Sequence, residues 1–369
     1  MMSSPPRKKS VSVTSTKHNG APTLTDVAEL AGVSRATASR ALGGYGSVSP
    51  KVRNRVAVAA LQLGYRPNVV ARNVRTGTTS TIGVVVADMS NPFFAQTTRG
   101  VSDAARRHGY QVMVMNTDED LETEKVGLEF LLSKRVDGIV VAAASRVASG
   151  HLADVHSEGF PVVLLDRRID AMRVDQVTAD NKTGAAAALA ALIAAGHRRI
   201  AFVSAADPGS LERAHGLSNI TSSGADRIEA YLEAVGSLPG KAANDTYLRL
   251  AGFAEGAAYQ VVTDLVRLPK RPTAIFASDS VVAIETLWAI RDAGLAVPRD
   301  VSVIMGDDVP WAQATNPAIS AVAQPAYEMG NKSIDLLLER IKLPGGPPQK
   351  LLLPTKFHRR GSIAAPTRP

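Results

Sequence analysis

A small, all-α helix-turn-helix head carried on a larger α/β body is the architecture that this sequence predicts, and three observations predict it. The first is charge. Residues 1–79 hold twelve Lys and Arg against two acids, a net +10, whereas residues 80–369 hold 30 basic and 32 acidic residues, a net −2. The second is helical spacing with cap signals over 24–63. The third is the texture from Thr81 onward, where short Val- and Ile-rich runs alternate with helical stretches. That is the rhythm of parallel strands covered by helices on both faces. A chain of 369 residues, 45% hydrophobic and 21% charged, suits two or three domains. It has no cysteine, which excludes disulfides, thiolate metal sites and cysteine nucleophiles.

Taken in order, residues 1–22 are a basic tail without periodicity, of the kind expected to be disordered. Arg7, Lys8 and Lys9 are followed by Ser, Thr, Val and Asn rather than by the apolar core of a secretory signal. No apolar run reaches the ~18–20 residues that span a bilayer, so a cytoplasmic location is expected. A first helix is expected from about Thr25, as its cap, to Ala31. Gly32-Val33 breaks the chain, and Ser34 caps a second helix ending near Leu42. Ser49-Pro50 then places a capping serine before proline at the first helical position, a strong start signal. Val52, Val56, Ala59, Ala60 and Leu63 follow on one face.

In the body, strands are expected at Ile82–Val86, Val112–Met115, Gly138–Val141, Val162–Leu165, Ile200–Val203, Thr273–Ala277 and Val301–Ile304. Helices are expected at 94–108, 122–133, about 148–158, 183–195, 224–235 and 281–293. The alanine-rich stretch from Ala185 to Ala195 reads as a helix packed tightly inside the fold. About ten strands exceed one compact domain, so two lobes are expected. Ligands of such sheets settle in the crevice beyond the carboxyl ends of the strands.

The head offers specific chemistry. Leu24, Val27, Ala28, Ala31, Val33, Ala38 and Leu42 can form a miniature core, with Gly32 at the turn. Ser34, Arg35, Ala36, Thr37, Ser39 and Arg40 are then left exposed at the second helix, suited to phosphates and base edges in a major groove. Any small three-helix module with a solvated basic surface, or one directed at an anionic membrane, is the alternative. On these residues, and on Val48-Ser49-Pro50 and Leu63-Gly64-Tyr65-Arg66-Pro67-Asn68, the chain resembles the LacI/GalR family of bacterial transcription regulators, from residue 24 to about 363. The resemblance implies a helix-turn-helix head on a two-lobed body like that of periplasmic sugar-binding proteins. It implies that Arg35 and Ala36 choose the operator base pairs. By the same resemblance Leu24, Ser34, Thr37, Ser39, Arg40, Ser47, Val48, Ser49, Tyr65 and Asn68 position the head. Asn68–Arg75 looks like the family's hinge, which folds on DNA and pushes an apolar wedge into the minor groove. Here the wedge position is Val74, stiffer and shorter than leucine, and Arg72 serves phosphates or the minor groove. A plain linker is the alternative. The implied organisation is a head over 23–67, a hinge over 68–79, a first lobe from 80–180 with about 325–347, a second lobe from 181–324 with about 348–363, and a tail from 364.

An enzyme is disfavoured on residues. Gly236–Lys241 is one residue short of a phosphate loop, no Gly-x-Gly-x-x-Gly follows the first strand, and no Gly-x-Ser-x-Gly elbow occurs. The seven histidines lack metal-ligand spacing. Neither cofactor nor metal nor catalytic residue is expected. The resemblance continues through Ser90-Asn91-Pro92-Phe93-Phe94-Ala95, Gly109-Tyr110, Lys134–Ile139, Asp166-Arg167, Gly196-His197-Arg198, Arg271–Ala274 and Asp300–Ile304. A polyhydroxylated ligand needs carboxylates for paired hydroxyls, a guanidinium and aromatic faces. Asp166, Asp279 and Asp307 stand at strand ends, Phe93 and Phe94 follow the first strand, and Trp311 is near enough to Asp307 to wall a site. Arg227 aligns with the family's effector-contacting arginine. Asp279 and Asp308 could instead cap helices, and Phe93 could belong to the core. The chain departs from the family at Met305-Gly306-Asp307-Asp308, at Ser278 where asparagine is usual, and in a longer segment over 207–223. The expected protein is a homodimeric or tetrameric repressor of carbohydrate-use genes, binding a pseudo-palindromic double-stranded operator and a sugar or sugar derivative between its lobes. A purine-dependent relative, or a sugar-binding transport component, is the rival.

Overall fold

The computed structural model describes residues 21–43, 45–66, 78–212, 216–238 and 247–367. The chain divides into two compact units, Met1–Thr78 and Thr79–Pro369. The hinge positions Asn68, Arg72 and Val74 lie outside the described residues.

Among its described residues the first unit has three helices, α1 (Leu24–Leu30), α2 (Arg35–Gly43) and α3 (Pro50–Gln62). The cap of α1 is Thr23, not Thr25. Its hydroxyl accepts from the Asp26 amide while the Asp26 carboxylate accepts from the Thr23 amide, so two orphan donors are satisfied at once. Ser34 accepts from the Thr37 amide at 3.1 Å, and Ser49 from the Val52 amide at 3.4 Å with Pro50 behind it. Val27, Ala28, Ala31, Ala38, Ala41, Val56, Ala59 and Ala60 form the buried core.

The second unit opens with β1 (Thr81–Val86), α4 (Pro92–Arg107), β2 (Gln111–Asn116), α5 (Leu121–Ser133), β3 (Gly138–Val141), α6 (Gly150–Ser157), β4 (Val162–Leu165) and β5 (Asp175–Ala179). It continues through α7 (Asn181–Ala194), β6 (Ile200–Ser204), α8 (Ser222–Gly236), β7 (Leu248–Leu250), α9 (Ala257–Arg267), β8 (Ala274–Ala277), α10 (Ser280–Asp292) and β9 (Ser302–Gly306). It closes with α11 (Pro310–Ala314), β10 (Ser320–Ala323), α12 (Ala326–Lys342), β11 (Lys350–Leu353) and β12 (Lys356–His358). Among the described residues two six-stranded sheets result, ordered β11-β5-β4-β3-β1-β2 and β12-β10-β9-β8-β6-β7. Every pair in the first is parallel, and in the second only β10–β12 is antiparallel.

The chain passes between the sheets three times, after β5, after β10 and between β11 and β12. The third passage falls at 354–355 rather than near 348, because Lys350–Leu353 pair in register with Gln176–Ala179 of the first sheet. Two crossings are tied together. The Asp180 amide donates to the Leu353 carbonyl at 2.8 Å, and the Thr355 hydroxyl to the Asp180 carbonyl at 2.8 Å. Helix α7 is not wholly internal as expected: Ala185, Ala188, Leu189 and Leu192 are buried, but Ala186, Ala187 and Ala190 on its other face are exposed.

In the first lobe α4 and α12 meet backbone to backbone. A Cβ on Gly100 would strike the Tyr327 carbonyl, and one on Gly330 the Thr97 carbonyl, so these glycines set the helix separation. Gly330→Ala should cost about 1–3 kcal/mol through overpacking in urea unfolding of the full chain. Gly150→Ala, where a Cβ meets nothing within 4 Å, should stay within about 0.5 kcal/mol of wild type. Equal stabilities for both variants would mean that the helices can separate freely.

Candidate functional site

In the head, α2 presents Arg35, Ala36 and Arg40 exposed, with Ser34 and Thr37 joined hydroxyl to hydroxyl at 2.9 Å. Ser39 pairs with the Tyr45 hydroxyl at 2.7 Å. Ser47 and Ser49 are exposed, whereas Leu24, Val48 and Tyr65 are half-buried against the head core. The structure therefore separates the expected residues into an exposed polar edge and its packed support.

The body has a cavity of about 380 Å³ between the two sheets. Many of the polar lining residues follow a strand end: Asp88 after β1, Asp118 and Glu119 after β2, Asp166 and Arg167 after β4, Ser278 and Asp279 after β8, Asp307 after β9. Four of these carboxylate residues have left-handed backbones, at φ 51° for Asp118, 61° for Glu119, 65° for Asp166 and 64° for Asp307. Short polar side chains tolerate this region best, though Glu119 is the exception, and such strain concentrates at binding sites. Phe93 and Phe94 sit in the first turn of α4, which Asn91 caps and Pro92 opens. Their rings meet edge to face at 5.1 Å. Both belong to the buried core of the first lobe and both line the cavity, so the two alternatives for Phe93 are one.

The charges are arranged rather than merely gathered. The Arg167 guanidinium forks onto Glu119 at 2.6 and 2.5 Å, donates to the Ala143 carbonyl at 3.0 Å and lies 5.6 Å from the centre of the Phe94 ring. Asp166 accepts from the Ser223 hydroxyl at 3.0 Å with one oxygen, and its other oxygen is buried without a partner among the described residues. Arg227, on α8, donates to Asn181 at 2.8 Å. Asp307 accepts from Gln324 at 2.5 Å. Ser278 donates to Asp279 at 2.6 Å, and Asp279 also caps α10 through the Val281 and Val282 amides at 2.9 and 3.0 Å. Asp279 is thus a cap and a cavity residue together. Asp308 is neither, being paired with His358 and Arg360.

Of the eight cleft residues expected from sequence, seven line the cavity. Trp311 does not. Pro310 starts α11 just after the Asp307 turn, and the indole packs against the core of the second lobe with Val309 and Ala312. Sequence reasoning missed Glu119, Arg167, Ser223, Phe253 and Gln324, which also line it. Gln324 was findable, since it follows β10 as the aspartates follow their strands, but β10 itself was not recognised.

Burial pushes the Asp307 carboxyl up to about 6; Arg227 opposes the shift, while Asp279 and Asp166 add to it. Burial likewise raises Asp166 against the pull of Arg167 and Arg227. The folded protein therefore holds the Asp307 proton more tightly than the unfolded chain does. The stability this contributes is complete below about pH 4 and lost as pH rises through about 6. Asp307→Asn, permanently neutral, should match wild type near pH 4 and exceed it at pH 8 by up to about 3 kcal/mol in thermal or urea unfolding. A difference that does not change with pH would show that Asp307 titrates as an ordinary carboxylate.

Among the described residues no helix is long and apolar enough to cross a membrane, and no cluster of three His, Cys, Asp or Glu side chains could hold a metal ion. Residues 23–68 match the family model for bacterial regulatory proteins of the lacI family, and 189–363 that for a periplasmic binding protein-like domain. The chain is 32% identical to catabolite control protein A of Priestia megaterium, over 85% of this chain and 91% of that protein. It is also 32% identical to the HTH-type transcriptional repressor CytR of Escherichia coli (strain K12), over 88% and 92%. Among solved structures it is similar to a complex of the transcriptional regulator CelR with cellobiose, at 30% identity and TM-score 0.67, covering 92% of this chain and 99% of that one. It shares the fold of the lac repressor dimer bound to operator and an anti-inducer, at 24% identity and TM-score 0.76, over 94% and 100%. With a matching head, a matching body and relatives spanning nearly its whole length, the chain belongs to the LacI family of bacterial DNA-binding transcriptional regulators.

Proposed function

We propose that this regulator is a repressor of carbohydrate-use genes whose effector is a sugar or sugar derivative held between the lobes. The observation that carries this reading is the convergence of Asp166, Asp307 and Arg227 beside the Phe93–Phe94 pair in one cavity. Carboxylates accept two hydroxyls each, the guanidinium donates to ring and hydroxyl oxygens, and the phenyl faces cover C–H surfaces. Asp279, Ser278, Arg167 and Gln324 complete the polar wall. On the DNA side, Arg35 and Ala36 read base edges, while Ser34, Thr37, Ser39, Arg40, Ser47 and Ser49 position the head on phosphates. The operator is pseudo-palindromic and the reader a homodimer. The ribose operon repressor of Haemophilus influenzae, 30% identical over 92% of this chain, and the cellobiose complex of CelR support the ligand class. This reading assigns the chain no catalytic step.

A thermal-shift screen of neutral sugars, sugar phosphates and purines tests it, because a bound ligand raises stability by mass action. Stabilisation by a sugar is expected; stabilisation by purines alone would replace this reading. With the sugar so found, Arg227→Ala and Asp307→Ala should bind operator normally but respond to ~10–100-fold more ligand, since each leaves polar partners unpaired at ~1–3 kcal/mol. An operator gel-shift titration measures this, and a wild-type ligand response in both variants would move the effector site elsewhere. Separately, Arg35→Ala should change the ranking of operator variants, by about 1–3 kcal/mol at the base pair it reads. An unchanged ranking would mean that α2 does not read sequence.

A further inference from the structure

The lobes also touch outside the cavity. Two residues beyond Asp166, the Arg168 guanidinium forks onto the Asp226 carboxylate with both contacts at 2.7 Å. The Arg168 amide donates to the Ser222 hydroxyl at 2.7 Å. Nearby, Arg146 of the first lobe donates to the Leu217 and Ser218 carbonyls of the second at 2.9 and 3.1 Å. Arg146, Arg168, Ser222 and Asp226 are all absent from the cavity wall.

The register of α8 explains why these contacts matter. Ser222 and Asp226 are one turn apart and face the loop after β4. Ser223 and Arg227, each one residue further on, line the cavity, where Ser223 holds Asp166. Positions four apart share a helix edge, so adjacent edges of the same first turns carry a protein-to-protein contact and a cavity contact. The side chains of Arg168 and Asp226 are 30% and 15% exposed, so the pair is partly shielded from water. A planar fork onto a carboxylate also tolerates little displacement.

We propose that Arg168 and Asp226 are positioning residues for the effector response: a clasp across the rim of the cleft that holds the first turns of α8, and with them Arg227, against the first lobe. A contact made only when the lobes are together favours that arrangement with or without ligand, and so raises apparent ligand affinity by raising the binding-competent fraction. The affinity part rests on the effector site proposed above; the clasp itself does not.

Hydrogen–deuterium exchange on the full chain tests it without any ligand, comparing wild type with Arg168→Ala, Arg168→Lys, Asp226→Asn and the exchanged pair Arg168→Asp with Asp226→Arg. Amides of 166–168 and 222–228 should exchange about tenfold faster in Arg168→Ala and Asp226→Asn, with those of β1 and β6 unchanged. Arg168→Lys, which keeps the charge but loses the fork, should fall between, and the exchanged pair should recover most of the protection. Wild-type exchange in Arg168→Ala and Asp226→Asn, or an equal rise in β1 and β6, would overturn the proposal, the second because it signals general destabilisation. In parallel, Asp226→Asn should bind the sugar that stabilises wild type about tenfold more weakly, although no cavity residue has changed. If no sugar stabilises wild type, the effector reading fails while the exchange result still decides the clasp.

Discussion

Parallel strand pairing is the constraint on which the rest of this body depends. Strands that run the same way end on the same edge, so each sheet gathers its post-strand residues into one row. The three passages of the chain bring the two rows face to face. A side chain just past a strand can then reach the cleft whatever its distance in sequence, which is how Asp166 and Asp307 meet the field of the same Arg227. The turns that make this possible are strained: left-handed backbone at a residue other than glycine costs on the order of 1–3 kcal/mol. The buried, largely apolar strands β4 and β9 beneath the Asp166 and Asp307 turns supply stability that offsets it.

The second consequence is electrostatic. Among the described residues seven carboxylates and two arginines line the cavity, and charge taken out of water must be matched or neutralised. The protein uses both solutions. Glu119 is matched by the Arg167 fork, and Asp279 spends one oxygen on helix amides. Asp166 and Asp307, from opposite lobes, are matched less completely, and both hold their protons more tightly than an exposed aspartate. These are the groups for which hydroxyl donors from a ligand would change most.

Three short crossings join the lobes, two of them cross-linked through Asp180, while the first turns of α8 face the rim with one edge and the cavity with the next. Because Asp226 and Arg227 are neighbours on that helix, the contact at the rim and the Arg227 contact in the cavity wall belong to one element. No long pathway is needed to couple them.

The sequence by itself determined the elements whose causes are local. The helix-turn-helix spacing, the Ser34 and Ser49 caps, the Val- and Ile-rich strands and the aspartates just beyond them depend on residues within one turn or strand of each other. Even so, local rules misplaced the first cap, since Thr23 and Thr25 are both eligible and only the reciprocal bond with Asp26 chooses between them. What the tertiary structure decided was everything set by register and packing. Lys350–Leu353 joins the first sheet because a free edge of β5 lies beside it. Trp311 leaves the cleft for the core because a short helix begins at Pro310. Gln324 enters the cavity, Glu119 captures Arg167, and Arg168 reaches Asp226 across 58 residues of sequence. Such pairings are invisible in one chain because a parallel sheet brings together residues that sequence separation keeps apart, and nothing local records which strand will be the neighbour.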